Sequence, residues 1–251
     1  MKKLILILMI FISGVVFADN SMIGVSLGYS FSGFREVTIA DVNRYLNTIV
    51  FSIHSVVEKE NFIHSHNVGF FSGQSDLLVK NPVYQFEQID YYQVKDTYSR
   101  LFLEYALTRK LWGNNTFPGY LGGAMRGDLY LVETLDNPVY INLTAIASLN
   151  LYVNQKWIIN DKNTLVLSLG FPFFGYAVRP HYIGFSAWPL ETGITSLHNY
   201  WACFGSIKYY YRINNLISLY SDIGFDLSHI DFPETRRDVS LQIKLGAVFM
   251  Y

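Results

Sequence analysis

The chain has 251 residues, a formal net charge of −1, 16% charged and 51% apolar residues, and 4 Trp, 19 Tyr and 19 Phe. That composition excludes a disordered chain and departs from an ordinary cytosolic domain, which is about one quarter charged. Near-neutral charge without a Lys/Arg run offers nucleic acid no surface. The lone Cys203 excludes a disulfide framework or a cysteine-based zinc site.

The first element is MKKLILILMIFISGVVFA, with Lys2 and Lys3, an apolar core from Leu4 to Ile12, and Val16 and Ala18 flanking Phe17. This three-part layout predicts a secretory signal peptide over 1–18, cleaved to leave a mature chain over 19–251. No Cys follows the core, so lipid attachment is not indicated. Beyond it no apolar run reaches the roughly 18 to 20 residues of a membrane-spanning helix.

Alternation dominates the rest. Ile23, Val25, Leu27, Tyr29 and Phe31 alternate with Gly24, Ser26, Gly28 and Ser30; Val139 to Val153 and Val239 to Tyr251 repeat the pattern. A period of two is a strand with one apolar and one polar face. The pattern predicts ten strands, near 21–31, 47–57, 61–72, 97–108, 119–132, 138–153, 164–177, 199–211, 215–228 and 238–251. Each is long enough to cross a bilayer when tilted, which takes about 9 to 11 residues. In the third, His64 and His66 share a face with Val68 and Phe70 unless a bulge intervenes, and in the seventh Pro172 demands a bulge.

Polar turns follow the second, sixth and eighth strands, whereas 32–46, 73–96 and 178–198 read as long aromatic-rich loops at the other end. The polar face carries Gly, Ser, Asn and Tyr rather than the Lys and Glu of a water-facing sheet. Its isolated charges are Arg100, Arg126, Lys208 and Lys244 against Glu104, Asp128, Asp222 and Asp226. Equal numbers of each sign suit pairing in a narrow lumen filled by side chains. Tyr29, Tyr105, Trp157, Tyr209 and Tyr211 are candidates for interfacial girdles.

With its last strand ending Phe249-Met250-Tyr251 after alternating apolar residues, the chain resembles small single-chain bacterial outer-membrane β-barrels. The fold expected is a closed antiparallel transmembrane barrel of ten strands, with eight or twelve as alternatives. The resemblance implies residence in the outer membrane of a diderm bacterium, termini in the periplasm, and outer-membrane lipid as surroundings. It also implies that Phe249 and Tyr251 are read by the barrel assembly machinery during biogenesis. No metal, cofactor or catalytic set is expected.

For function, the first expectation is a non-enzymatic barrel with a largely plugged polar lumen and a structural or surface-interaction role. A narrow channel for small solutes is the alternative. A rim hydrolase acting on peptide or lipid is the third, with His181, His198, His229 and Asp231 as rim candidates and Glu191 nearby. The one sequence cluster that invites comparison with lipid-hydrolysing barrels, which use a Ser and a His on the outer wall, is His64-Ser65-His66. Cys203, with the parity of Trp201, is expected to face lipid.

Overall fold

The computed structural model describes residues 21–36, 40–59, 61–80, 91–134, 140–180, 190–196, 199–231 and 235–250. The expected signal peptide over 1–18, Tyr251, His181 and His198 lie outside the described residues. The strands are β1 (Ser21–Glu36), β2 (Ala40–Lys59), β3 (Phe62–Lys80), β4 (Tyr91–Trp112), β5 (Gly119–Thr134) and β6 (Tyr140–Ile158). They continue with β7 (Asn163–Pro180), β8 (Leu190–Ser196), β9 (Tyr200–Arg212), β10 (Ile217–Asp231) and β11 (Thr235–Met250). Apart from β8 and β9, which both pair with β7, each pairs antiparallel with its chain neighbours, and β1 pairs β11 from Met22↔Met250 to Glu36↔Arg236, which closes the sheet on itself.

The closed barrel has ten strand positions, as the periodicity predicts. β8 and β9 share the eighth: β7 pairs with β9 over Asn163–Gly170 and with β8 over Phe174–Pro180. The break between them is held by Asn199. Its Oδ1 accepts the Ser196 N–H at 2.8 Å, and its carbonyl accepts the Asp231 N–H at 2.7 Å. The β1–β11 and β6–β7 pairings close the wall on itself, as strands in lipid require.

Alternate side chains face outward and stay accessible, among them Leu27 (60%), Met125 (62%) and Leu245 (68%), while Val50, Phe71 and Tyr130 point inward and are buried. β7 carries the predicted bulge: Leu149 pairs Phe174 but Asn150 pairs Pro172, so Phe173 is the extra residue. The bulge switches the inward set from Ser168, Gly170 and Pro172 to Gly175, Ala177 and Arg179, leaving Phe171, Phe173 and Phe174 all exposed. β3 has no bulge against either neighbour.

The expected long loops are corrected. β1, β2, β3, β4, β7 and β8 run on through 32–36, 40–46, 73–80, 91–96, 178–180 and 190–196 as paired strand. At this end outward positions turn polar, as at Arg35, Glu133 and Arg237, which fits a wall that has risen above lipid. The opposite end is closed by short turns, three of them built on Asn. Asn114, Asn160 and Asn214 each accept backbone N–H groups two and three residues on through Oδ1. Gly113 precedes the first with φ of 84°, a conformation that suits glycine. The first and last described strands begin and end at this turn end.

Candidate functional site

At mid-barrel, β4 contributes Arg100, β5 contributes Arg126 and Asp128, and β10 contributes Asp226. Because β4 lies five strand positions from β10 in either direction and β5 four in one and six in the other, these residues reach across the lumen. Arg100 donates from Nη2 to Asp128 Oδ1 at 2.6 Å and to Asp226 Oδ2 at 2.5 Å. Arg126 donates from Nε to Asp128 Oδ2 at 2.9 Å, and from Nη2 to Asp226 Oδ2. Two guanidinium forks thus bind two carboxylates, an arrangement that satisfies buried charge on both sides. Glu104 stands 4.0 Å from Arg126 Nη1.

Aromatic rings pack the guanidinium faces. Arg126 lies 4.2 Å from the Phe204 centroid and 5.3 Å from Phe102; Arg100 lies 4.9 Å from Tyr130 and 5.4 Å from Phe71. Above them Arg236, bound to Asp238 at 2.8 Å, sits 4.4 Å from Tyr130. The rings need room against the wall, and glycines supply it. A Cβ on Gly69 would lie 2.1 Å from Phe102 Cε1, and one on Gly170 2.2 Å from Phe204 Cζ. The half of the lumen away from the turns is then filled by Phe34, Leu46, Tyr98, Ile146, Tyr200 and Ile230. Its filling is therefore aromatic and aliphatic as well as polar. A void there, of about 10 Å³ between Phe34, Tyr98, Arg100 and Asp226, has room for one water.

The turn-end half is different. A cavity of about 200 Å³ runs from the Arg126, Phe102 and Phe204 layer down to Asp161, Lys162 and Arg212 at the turns. Lys244 pairs Asp222 at 2.9 Å on its wall, and Lys208 stands beside Asp222 in register. Among the described residues Lys208 has no ion-pair partner. His54, whose Nδ1 is 3.2 Å from the Tyr220 hydroxyl, and the Glu58–Lys156 pair at 2.8 Å also line it. His54, Lys156 and Arg236 were not among the lumen charges expected from sequence. Lys156 and Arg236 lie just beyond the predicted sixth and tenth strands, whereas His54 lies within the second at an inward position.

Of the rim candidates, His229 and Asp231 lie among the described residues, and each has a partner of its own. His229 faces outward, stacked on Trp201 at 5.9 Å, with Arg237 Nε donating to its Nδ1 at 3.3 Å. Asp231 accepts from Thr235 Oγ1 at 2.6 Å within the β10–β11 hairpin. The described residues contain no group of three or more His, Cys, Asp or Glu that could hold a metal. Nor does the histidine cluster keep its sequence grouping. Ser65 points into the lumen, and the serine beside the outward His66 is Ser55 on β2, whose Oγ lies 3.1 Å from His66 Nδ1. Cys203 is half-buried at the parity of Trp201.

The comparison that decides the fold is with the outer membrane protease OmpT from Escherichia coli, at a TM-score of 0.66 over 94% of this chain and 98% of that one. This chain has an outer-membrane barrel fold. Identity to OmpT is 6%, so the likeness extends to architecture alone. An outer membrane channel from Pseudomonas putida F1 (TM-score 0.44, 12% identity, 94% of this chain and 97% of that chain) is also similar. So is Neisserial surface protein A (0.41, 8%, 92% and 97%). No family model and no curated protein matches the sequence.

Proposed function

We propose that this is a non-enzymatic outer-membrane barrel whose lumen is closed at mid-height, and that it works as an envelope or surface-interaction module. The observation that carries the reading is the Arg100–Asp128–Arg126–Asp226 cluster joining opposite walls, with Phe71, Phe102, Tyr130 and Phe204 against its cations. A solute leaving the turn-side cavity meets this layer, and moving it means separating buried ion pairs at a cost of several kcal/mol. The strands extending beyond the apolar belt give the opposite end a raised polar wall suited to contacts outside the cell.

On this reading residues 1–18 direct export and are removed. The turn end faces the periplasm, and Phe249 and Tyr251 serve recognition by the assembly machinery. Proteoliposomes holding the folded protein should swell in isotonic arabinose no faster than empty vesicles. Swelling that scales with protein content would favour the small-solute channel instead.

A further inference from the structure

The outer wall of β2, β3 and β4 departs from the rest of the belt. Registers set its outward side chains in rungs. Counting up from the turns, the rungs are Lys59, Phe62 and Arg109; then Val57, His64 and Leu107; then Ser55, His66 and Tyr105. Above these come Ile53, Val68 and Leu103, then Phe51, Phe70 and Leu101, apolar throughout. Of the described strand residues in the turn-end half of the barrel, every outward-facing Lys, Arg or His lies on these three strands. Elsewhere that girdle is aromatic and uncharged, as at Trp157, Tyr209 and Tyr211. Ionisable side chains on a lipid-facing wall are costly and call for a functional explanation.

The polar groups are also tied together. His64 Nδ1 lies 3.1 Å from the Tyr105 hydroxyl, and the His66 and Tyr105 rings are 5.0 Å apart. The Arg109 guanidinium lies 5.9 Å from the Phe62 ring. Imidazole, phenol, guanidinium and ammonium donors are thus gathered where a headgroup would lie. The apolar rungs directly above form a track for acyl chains.

We propose that this wall is a binding site for a glycerophospholipid of the periplasmic leaflet, its phosphate held by His64, His66, Tyr105 and Arg109 with Lys59 at the edge. The chemistry is that of charge-assisted hydrogen bonds to phosphate beside buried apolar contact. The proposal rests on the barrel lying in the membrane with its turns periplasmic, and it is independent of whether the lumen is closed.

Native mass spectrometry of the folded full chain, titrated with dioleoyl phosphatidylglycerol, tests it. Wild type should retain one lipid more tightly than the rest. His64→Gln/His66→Gln/Arg109→Gln should bind that lipid about tenfold more weakly. Arg109→Gln alone, at the exposed edge where folding is least at risk, should weaken it about threefold, and Lys162→Gln on another turn should leave it unchanged. Heat-modifiable migration on gels verifies that each variant is folded and separates failure of this site from failure of the barrel reading.

Equal retention by wild type and by the folded Arg109→Gln and triple variants would overturn the proposal. Displacement of the lipid by 1 mM glycerol 3-phosphate would overturn its lipid character. Release of fatty acid and lysophospholipid by wild type but not by Ser55→Ala would replace it with a hydrolase reading.

Discussion

Asp226 is the residue on which the mid-barrel closure turns, since it ties β10 to the β4–β5 wall through both Arg100 and Arg126. Removing its charge leaves two guanidinium groups short of a carboxylate in a site where their side chains are 4% and 8% exposed. Breaking one member of a buried charge group in this way costs about 3–5 kcal/mol. Asp226→Leu should therefore shift urea unfolding in detergent micelles to lower denaturant by that amount. A simultaneous exchange of Arg100, Arg126, Asp128 and Asp226 for apolar residues of similar volume should recover most of it, because no uncompensated charge remains. A single variant as stable as wild type would mean that the cluster is solvated. The cluster was within reach of sequence reasoning because its four members have inward parity on strands with clear alternation. Their arrangement across the lumen was not, since it depends on which strands face each other after closure.

At the scale of the strand, β3 and β7 show how glycine and a bulge place the closure. Gly69 on β3 lies under Phe102, and Gly170 on β7 lies under Phe204; these two rings flank Arg126. Gly69→Val forces the Phe102 ring off the wall and should destabilise the barrel by about 1–3 kcal/mol through overpacking. Phe102→Leu in the same chain should return part of that loss, read by the same urea titration. Strand cores were legible from the period of two, and Pro172 announced the bulge that turns Arg179 inward. The upper halves were not. Over 75–80 and 91–96 the sequence has no strict apolar and polar alternation and reads as loop, although the backbone stays paired. The outer-wall histidines were visible as a cluster, but Ser55, brought beside His66 by the β2–β3 register, carried no sequence signal.

For the molecule as a whole, a belt of exposed Leu, Ile, Phe and Tyr surrounds a core of Arg, Asp and aromatic rings. This inverts the soluble arrangement. The low charge content follows from it, since the wall facing lipid can carry few charges and the packed interior only paired ones. Assembly has its own expectation: deleting Tyr251 should reduce the folded, heat-modifiable fraction in the outer membrane, and undiminished assembly would remove its role as a sorting signal. The closed lumen is tested most directly by single-channel recording in planar bilayers. Wild type should give no reproducible current steps. Uniform ion steps from the wild-type protein would contradict a lumen closed by this layer.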